Sequence, residues 1–192
     1  MNLLTNYADI VCDGTLMKST IIALSETWLE KTQELCIDGF TACFNSVGPG
    51  KGLAIYTRDN SFKETRNVNS KNMQITVLES NELKIIIVYR SEQGNITELY
   101  QHIKDDILEE KSTVIAGDLN ICYKTQRSNK ITQFLENNGF IQLVTEATHT
   151  MGRQIDHMYL KIGSTIQKNH SIYRYSPYYT DHDALCLTLK KK

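Results

Sequence analysis

The residues best suited to chemistry stand at the ends of short apolar runs. Glu26 follows the run 20–24, and Asp118 and Asn120 follow the run 113–116. Because the end of a strand is rigid and opens onto loops, side chains there are well placed to meet a ligand. A carboxylate such as Glu26 can bind a hard cation through oxygen. An acid in the first turn of a helix is the structural alternative for the same residue.

Asp118 and Asn120 are two residues apart, so on an extended segment they project to the same side. One can polarise a water molecule or hold a metal ion while the other donates an amide hydrogen bond to an oxyanion. An Asx turn explains the pair equally well. Gly117, directly before them, is expected to let the backbone turn sharply.

A histidine and two further aspartates form a second candidate group. His182 follows Asp181, and an imidazole is suited to proton transfer or charge stabilisation near neutral pH. Asp156 lies within the apolar run 155–160, where a buried acid needs a partner. A hydrogen bond to an imidazole would give the Asp156 carboxylate a partner and would also orient the imidazole ring. Taken alone, His182 is more simply explained as a surface loop residue.

The composition predicts one α/β domain over residues 1–192. Of these residues 41% are hydrophobic, enough for one sizeable core. The formal net charge of −1 argues against a uniformly basic nucleic-acid-binding surface, although a bound metal would supply positive charge locally. Five cysteines without C-x-x-C spacing argue against a zinc site or a disulfide framework. No apolar run approaches the ~18 residues of a membrane span, and no secretory pattern opens the chain, which predicts an intracellular protein without a membrane partner.

Seven runs rich in β-branched and aliphatic residues are predicted to be buried strands: 20–24, 53–57, 74–78, 83–89, 113–116, 155–160 and 184–189. One helix is expected after a cap at Asn95, and a second from near Ser128 to a stop at Gly139. Hairpin and helical connections together favour a layered α/β sandwich of mixed sheets. Trp28, the only tryptophan, is predicted to lie in the core.

Taken in order, the motifs resemble the endonuclease/exonuclease/phosphatase superfamily, and within it the retrotransposon-type branch that is similar to apurinic-site endonucleases. The resemblance covers nearly the whole chain. It rests on six motifs in the right order: Leu24–Leu29, Gly52–Tyr56, Val88–Ser91, Ile115–Asn120, Ile155–His157 and Thr180–His182.

The resemblance implies a four-layer α/β sandwich, in which helices flank two mixed β-sheets and the site lies at one edge of the sheets. It implies that Glu26 binds Mg²⁺ or Mn²⁺ and that Asp181 helps to hold the metal. Asp118 would activate or position the attacking water.

The resemblance also assigns the residues that handle charge at phosphorus. Asn120 and His182 would stabilise the pentacovalent centre, and Asp156 would orient His182. Tyr89 would contact the phosphate or the leaving oxygen. One divalent ion with preorganised donors is a coherent set for cleaving a phosphodiester.

Two positions depart from the pattern of the family. Thr180 stands where members usually have serine, which keeps a hydroxyl. Family members begin with a strand that ends in asparagine, and Met1–Leu4 align with what usually follows it, so the first strand is expected to be missing. An absent inner strand would leave ladder groups unpaired and apolar surface exposed.

The function implied by the resemblance is that of a DNA endonuclease domain derived from a retroelement, acting inside the cell and in the nucleus. Two alternatives stay open. The near-neutral charge permits a phosphodiesterase or phosphatase acting on an inositol phosphate or a lipid, since one fold hosts many substrates. The short N-terminus motivates a truncated remnant or binding module. The sequence does not decide the oligomeric state.

Overall fold

The computed structural model describes residues 2–30, 32–126, 130–164 and 166–191. Within these ranges the strands form a six-stranded sheet, a three-stranded sheet and a two-stranded sheet. The strands are β1 Ile21–Ser25, β2 Thr41–Asn45, β3 Leu53–Thr57, β4 Lys63–Ser70, β5 Met73–Glu79, β6 Leu83–Arg90, β7 Ser112–Asp118, β8 Ile141–Gln142, β9 Asp156–Lys161, β10 Ile166–Tyr175 and β11 Ala184–Lys191. The helices are α1 Leu3–Cys12, a 3₁₀ turn Leu16–Lys18, α2 Ile96–Leu108, α3 Tyr123–Gln126 and α4 Lys130–Asn137.

The large sheet has the order β4-β5-β6-β7-β9-β8. β6 and β7 are parallel, and their neighbours pair in the antiparallel sense, so the sheet is mixed as expected. β5 and β6 form a hairpin, in which the Ser80 amide donates to the Leu83 carbonyl at 2.9 Å. The small sheets have the orders β1-β3-β2 and β10-β11, and both are antiparallel.

The fold has four layers, and one of three apolar cores lies between each pair of successive layers. One face of the large sheet packs on α2 and α4. Its other face packs on the layer that contains the two small sheets. Leu3 and Ile10 of α1 cover the outer face of that layer, against Ile22 and Leu24 of β1. The expected four-layer α/β sandwich is therefore confirmed.

All seven predicted strands are present, with bounds that differ by up to two residues. Four further strands, β2, β4, β8 and β10, were not expected. β4 and β10 lie at sheet edges with most side chains in water, so their sequences are polar and lack an apolar run. β8 has only two residues, too few for a periodic pattern.

The helical predictions are confirmed where the structure describes them. The side chain of Asn95 accepts a hydrogen bond from the Thr97 amide at 2.8 Å and caps α2. α4 ends before Gly139, which has a φ of +81°. The predicted start of this helix near Ser128 lies outside the described residues. None of the helices in the described ranges is long and apolar enough to span a membrane.

The N-terminal part of the structure begins with the cap of α1. The Asn2 side chain accepts from the amides of Leu4 and Thr5, so Asn2 serves a helix. Within the described ranges no strand precedes α1. In the same ranges β1 has one strand neighbour, β3, and β11 has one, β10.

Candidate active site

Six of the seven residues expected at the site line one cleft of about 520 Å³: Glu26, Tyr89, Asp118, Asn120, Asp181 and His182. The seventh, Asp156, contacts His182 behind the cleft. The strand register explains the meeting. Tyr89 of β6 pairs with Asp118 of β7, and Asp118 pairs with Asp156 of β9, so three neighbouring strands present polar groups at one level.

Asp156 and His182 form a hydrogen-bonded dyad. His182 Nδ1 lies 2.9 Å from Asp156 Oδ2, which fixes the orientation of the imidazole. Burial opposes the charge on His182, but the bond to Asp156 and the nearby Asp118 and Asp181 outweigh burial and raise its pKa. The dyad therefore favours the cationic form of His182.

Asp118 and Asn120 form an Asx turn that is also part of the cleft. The Asn120 amide donates to Asp118 Oδ1 at 2.8 Å, and the backbone at Asn120 is left-handed with a φ of +48°. Burial and then the charge of Asp156 raise the pKa of Asp118 to about 7, against the bond from Asn120. The Asx turn is therefore confirmed, and the functional role of the pair stays a prediction.

Arg90 supports this loop and was not expected to take part. It is almost fully buried, and its guanidinium donates to the carbonyls of Leu119 at 2.7 Å and Asn120 at 3.0 Å. The Asn120 side chain returns a bond to the Arg90 carbonyl at 2.9 Å. The only signal in the sequence was its place next to Tyr89 in the third motif, because its partners lie about thirty residues away.

Glu26 and Tyr89 are in direct contact within the cleft. The Tyr89 hydroxyl donates to Glu26 Oε1 at 2.7 Å. Burial and this bond raise the pKa of Tyr89, so it stays a neutral donor. Glu26 has a left-handed backbone with a φ of +53°, a conformation that costs about 1–2 kcal/mol in a residue other than glycine.

Trp28 is 43% exposed, so its predicted place in the core is wrong. Its φ is +62°, and its amide donates to the Lys51 carbonyl at 3.0 Å. The chain after β1 therefore turns out of the sheet and follows the loop that contains Gly50 and Lys51. This turn leaves the indole at the surface rather than beneath a layer.

His149 is a site residue that the sequence did not reveal. Its Nε2 lies 3.3 Å from Asp181 Oδ2, and its ring meets that of His182 edge-on with centroids 4.7 Å apart. A single β-bridge also joins the backbones of the two histidines. No local pattern in the sequence singled it out, since its contact with Asp181 depends on the fold.

Two groups of side chains have ligand atoms within 4.8 Å of one another and could hold a metal ion. One contains Asp118, Asp156 and His182, and the other contains His149, Asp181 and His182. Glu26, the residue expected to bind metal, belongs to neither group, although it faces the same cleft. The metal roles assigned to Glu26 and Asp181 stay predictions.

Comparison with solved structures decides the fold. The endonuclease domain of TRAS1, a telomere-specific non-LTR retrotransposon, matches with a TM-score of 0.65 and 14% identity over 94% of this chain and 90% of that one. The 3′ phosphatase NExo from Neisseria, bound to a product DNA hairpin, matches with a TM-score of 0.68 and 14% identity, over 98% of this chain and 94% of that one. An AP endonuclease from Archaeoglobus fulgidus matches with a TM-score of 0.68 and 13% identity, over 97% of this chain and 95% of that one. The chain has the endonuclease/exonuclease/phosphatase fold. No family model matches the sequence, and comparison with curated proteins gives no significant match.

On this endonuclease/exonuclease/phosphatase fold, the cleft lies where the ends of β6 and β7 meet the start of β9 and the segment before β11. This is the edge position that the resemblance implied. The cleft offers carboxylate and amide oxygens, the ligands that a hard divalent cation prefers. Burial of Asp118 beside Asp156 leaves like charges close together, and a cation would relieve their repulsion. The donor set therefore fits a divalent metal ion.

Gly117 has a different role from the sharp turn that was expected. It lies inside β7, paired with Val88 of β6, and has a φ of +135°. A Cβ atom there would overlap the carbonyl oxygen of Val88. The absence of a side chain lets β7 approach β6 closely just before Asp118, and this approach sets the position of the carboxylate.

Proposed function

We propose that the chain is a divalent-metal-dependent phosphodiesterase that cuts DNA, as an endonuclease of retroelement origin. The observation that carries the proposal is the close group of Asp118, Asp156 and His182, whose ligand atoms lie within 4.8 Å of one another. Glu26 and Asn120 face the same cleft. This combination of acids, an amide and an oriented imidazole suits attack of water on a phosphodiester.

Asp118 is the group that handles the attacking water in this proposal. Its raised pKa makes it a stronger base than an ordinary carboxylate, so it accepts a proton from water more readily. Glu26 and Asp181 would hold Mg²⁺ or Mn²⁺, which supplies positive charge to the phosphate oxygens. The Asx turn and the bonds from Arg90 keep Asp118 and Asn120 in place before substrate binds.

The other polar groups act on the charge that develops at phosphorus. His182, which Asp156 orients, would place a positive charge next to the nonbridging oxygens. The side-chain amide of Asn120 donates a long hydrogen bond of 3.3 Å to Asp118 Oδ2. This N–H group could instead donate to a phosphate oxygen of the substrate. The Tyr89 hydroxyl, neutral and bonded to Glu26, is placed to donate to the phosphate or the leaving oxygen.

Basic and aromatic groups beside the cleft favour DNA over a small phosphoester. Lys51, Lys71 and Arg153 line the cleft although the whole chain has a net charge of −1. The exposed indole of Trp28 lies next to Lys51, where it can stack on a base. The matches to a retrotransposon endonuclease and to a phosphatase bound to a DNA hairpin also support a nucleic acid substrate.

Plasmid nicking tests the proposal. With Mg²⁺ or Mn²⁺ the protein should convert supercoiled plasmid into open circles, and a chelator should stop the reaction. His182→Ala, purified in parallel, should be slower by about 10³-fold, because it removes a charge that acts mainly in the transition state. Equal nicking by the two proteins would assign the activity to a contaminant. Release of phosphate from inositol phosphates without nicking would select the small-substrate alternative.

Neutralising Lys51 or Lys71 should weaken DNA binding without changing the chemical step. Each change to alanine should raise KM by about three- to tenfold, leave kcat unchanged and lower the salt slope of binding by about one. Initial nicking rates and binding at several salt concentrations measure this. Lys63→Ala is the matched control, because Lys63 is exposed on β4 at the other end of the large sheet. An equal effect of Lys63→Ala would mean that only overall charge matters.

A further inference from the structure

His149 lines the cleft, but the proposed function gives it no role. Its side chain is only 8% exposed and belongs to a tight turn. The Met151 amide donates to His149 Nδ1 at 3.0 Å, and the Gly152 amide donates to the His149 carbonyl at 2.8 Å. The imidazole ring is therefore held by its own turn before any ligand binds.

The bond from Met151 fixes the tautomer of the His149 ring. A backbone amide can only donate, so Nδ1 is the acceptor and carries no proton. The proton of the ring is therefore on Nε2, the atom that lies 3.3 Å from Asp181 Oδ2. This contact is slightly longer than an ordinary hydrogen bond, and it places an N–H group beside a carboxylate oxygen.

The same tautomer argues against His149 as a metal ligand. A metal ion binds the lone pair of an imidazole nitrogen, and in this ring the lone pair is on Nδ1, to which Met151 already donates. His149, Asp181 and His182 lie close enough to hold an ion, but the ring would first have to give up the bond from Met151. His149 therefore fits the role of a partner to a metal ligand better than that of a ligand.

The turn also pairs with the segment that contains Asp181. The Thr150 amide donates to the Asp181 carbonyl at 3.0 Å, and a β-bridge joins His149 to His182. The Asp181 carboxylate is 65% exposed, and within the described ranges no other side chain makes a hydrogen bond or an ion pair with it. The backbone of Asp181 is thus fixed by this turn, and His149 is the side chain that can orient its carboxylate.

We propose that His149 is a positioning residue, which orients the Asp181 carboxylate for a divalent metal ion through its Nε2–H group. An exposed carboxylate loses conformational entropy when it binds an ion, and a donor fixed by the fold reduces that loss. Hydrogen-bonding partners of metal ligands usually contribute about 10- to 100-fold to metal affinity or activity. The inference rests on the metal role that the proposed function gives to Asp181.

Two substitutions at position 149 separate the donor from the turn. His149→Asn keeps an acceptor for the Met151 amide, as in an Asx turn, but its side chain is too short to reach Asp181. His149→Gln keeps an N–H group near the position of Nε2 but loses the acceptor at Nδ1. A positioning role predicts that His149→Gln keeps the metal affinity that His149→Asn loses, whereas a role in the turn alone predicts the reverse.

Binding of Mn²⁺ alone, without DNA, measures the effect. Free Mn²⁺ counted by electron paramagnetic resonance should show about tenfold weaker binding by His149→Asn and nearly unchanged binding by His149→Gln. His102→Asn is the matched control and should bind normally, because His102 lies on α2 in the helical layer. Melting temperatures measured without metal establish that each variant is folded.

NMR of ¹⁵N-labelled histidine rings tests the tautomer directly. The His149 signals are assigned by their loss in His149→Gln. The ring proton should be on Nε2 in the metal-free protein and should stay there when Mg²⁺ is added. A proton on Nδ1, or displacement of the Nε2 proton by Mg²⁺, would overturn the proposal.

The metal affinities keep this inference separate from the proposed function. Equal Mn²⁺ affinity in His149→Asn and His149→Gln, or a loss confined to His149→Gln, would overturn the positioning role even if the wild-type protein nicks DNA. The predicted order of affinities without nicking by any of the proteins would uphold the positioning role and reject the proposed function. Failure of the wild-type protein to bind Mn²⁺ would reject both. If the wild-type protein nicks, His149→Asn should lower kcat by about tenfold and leave KM for DNA unchanged, because Asp181 acts on the metal.

Discussion

Replacing Asp118 with asparagine should abolish DNA nicking and, in the metal-free protein, increase stability at pH 8. Nicking should fall by about 10³-fold or more, because the base and a negative group beside the metal are both lost. Stability should rise because Asp118 is 3% exposed and lies beside Asp156, so its charge is unfavourable in the folded state. We expect a gain of about 2 kcal/mol at pH 8.

The pH dependence follows from the direction of the shift. The pKa of Asp118 rises from 3.8 in the unfolded chain to about 7 in the folded protein, so the folded state holds the proton more tightly. Its favourable contribution is therefore complete below pH 4 and is lost as the pH rises towards 7. Urea denaturation between pH 5 and 8 in a chelator should show a steeper decline for the wild-type protein than for Asp118→Asn.

Asp13 provides a control of the opposite sign. Burial disfavours its charge, but hydrogen bonds from Tyr175 at 2.7 Å and Tyr179 at 2.8 Å outweigh burial and lower its pKa. Asp13→Asn should therefore lower stability at pH 8. If both variants change stability in the same direction, the ionisation of Asp118 is not the cause of its effect.

The second large effect is expected from Gly117→Ala, which should destabilise the protein by more than about 3 kcal/mol. The new methyl group would overlap the Val88 carbonyl oxygen, and a φ of +135° is unfavourable for alanine. β6 and β7 would have to separate next to Asp118. Thermal and urea denaturation measure the loss, and any folded fraction should nick poorly because the carboxylate has moved.

Gly139→Ala separates backbone strain from steric overlap. Gly139 also has a positive φ, +81°, but a Cβ atom there would meet nothing within 4 Å. This variant should lose only about 1 kcal/mol, the usual difference for a left-handed position. Similar losses in the two variants would show that close approach of β7 to β6 is not what Gly117 provides.

The sequence predicted the parts of the fold that apolar runs specify. β3, β5 and β6 are buried on both faces, so their runs of aliphatic residues stand out from the polar turns between them. β4 has one face in water at a sheet edge, and its sequence from Lys63 to Ser70 carries no such signal. Trp28 was misplaced because the left-handed turn that directs it outwards follows from backbone contacts with the loop 50–52.

The residues of the candidate site also divide into those with a local sequence signal and those without one. Asp118 and Asn120 were evident because two polar groups end a buried strand in a local pattern. The pairing of Asp156 with His182 came from resemblance, since 26 residues separate them. Arg90 and His149 were missed because their roles consist of contacts with Leu119, Asn120 and Asp181, and no spacing in the sequence encodes those contacts.

The left-handed backbone at Glu26 has an evolutionary consequence. Glycine or asparagine would fit this conformation with less strain, so glutamate at this position costs local stability. Selection for activity is the force that would keep it there, as in other sites where function opposes stability. In lineages where cutting is no longer selected, position 26 should be among the first to drift towards glycine or asparagine, while Gly117, needed for folding, stays fixed. If the proposed function is correct, the residue at position 26 should therefore distinguish related sequences that cut from those that no longer do.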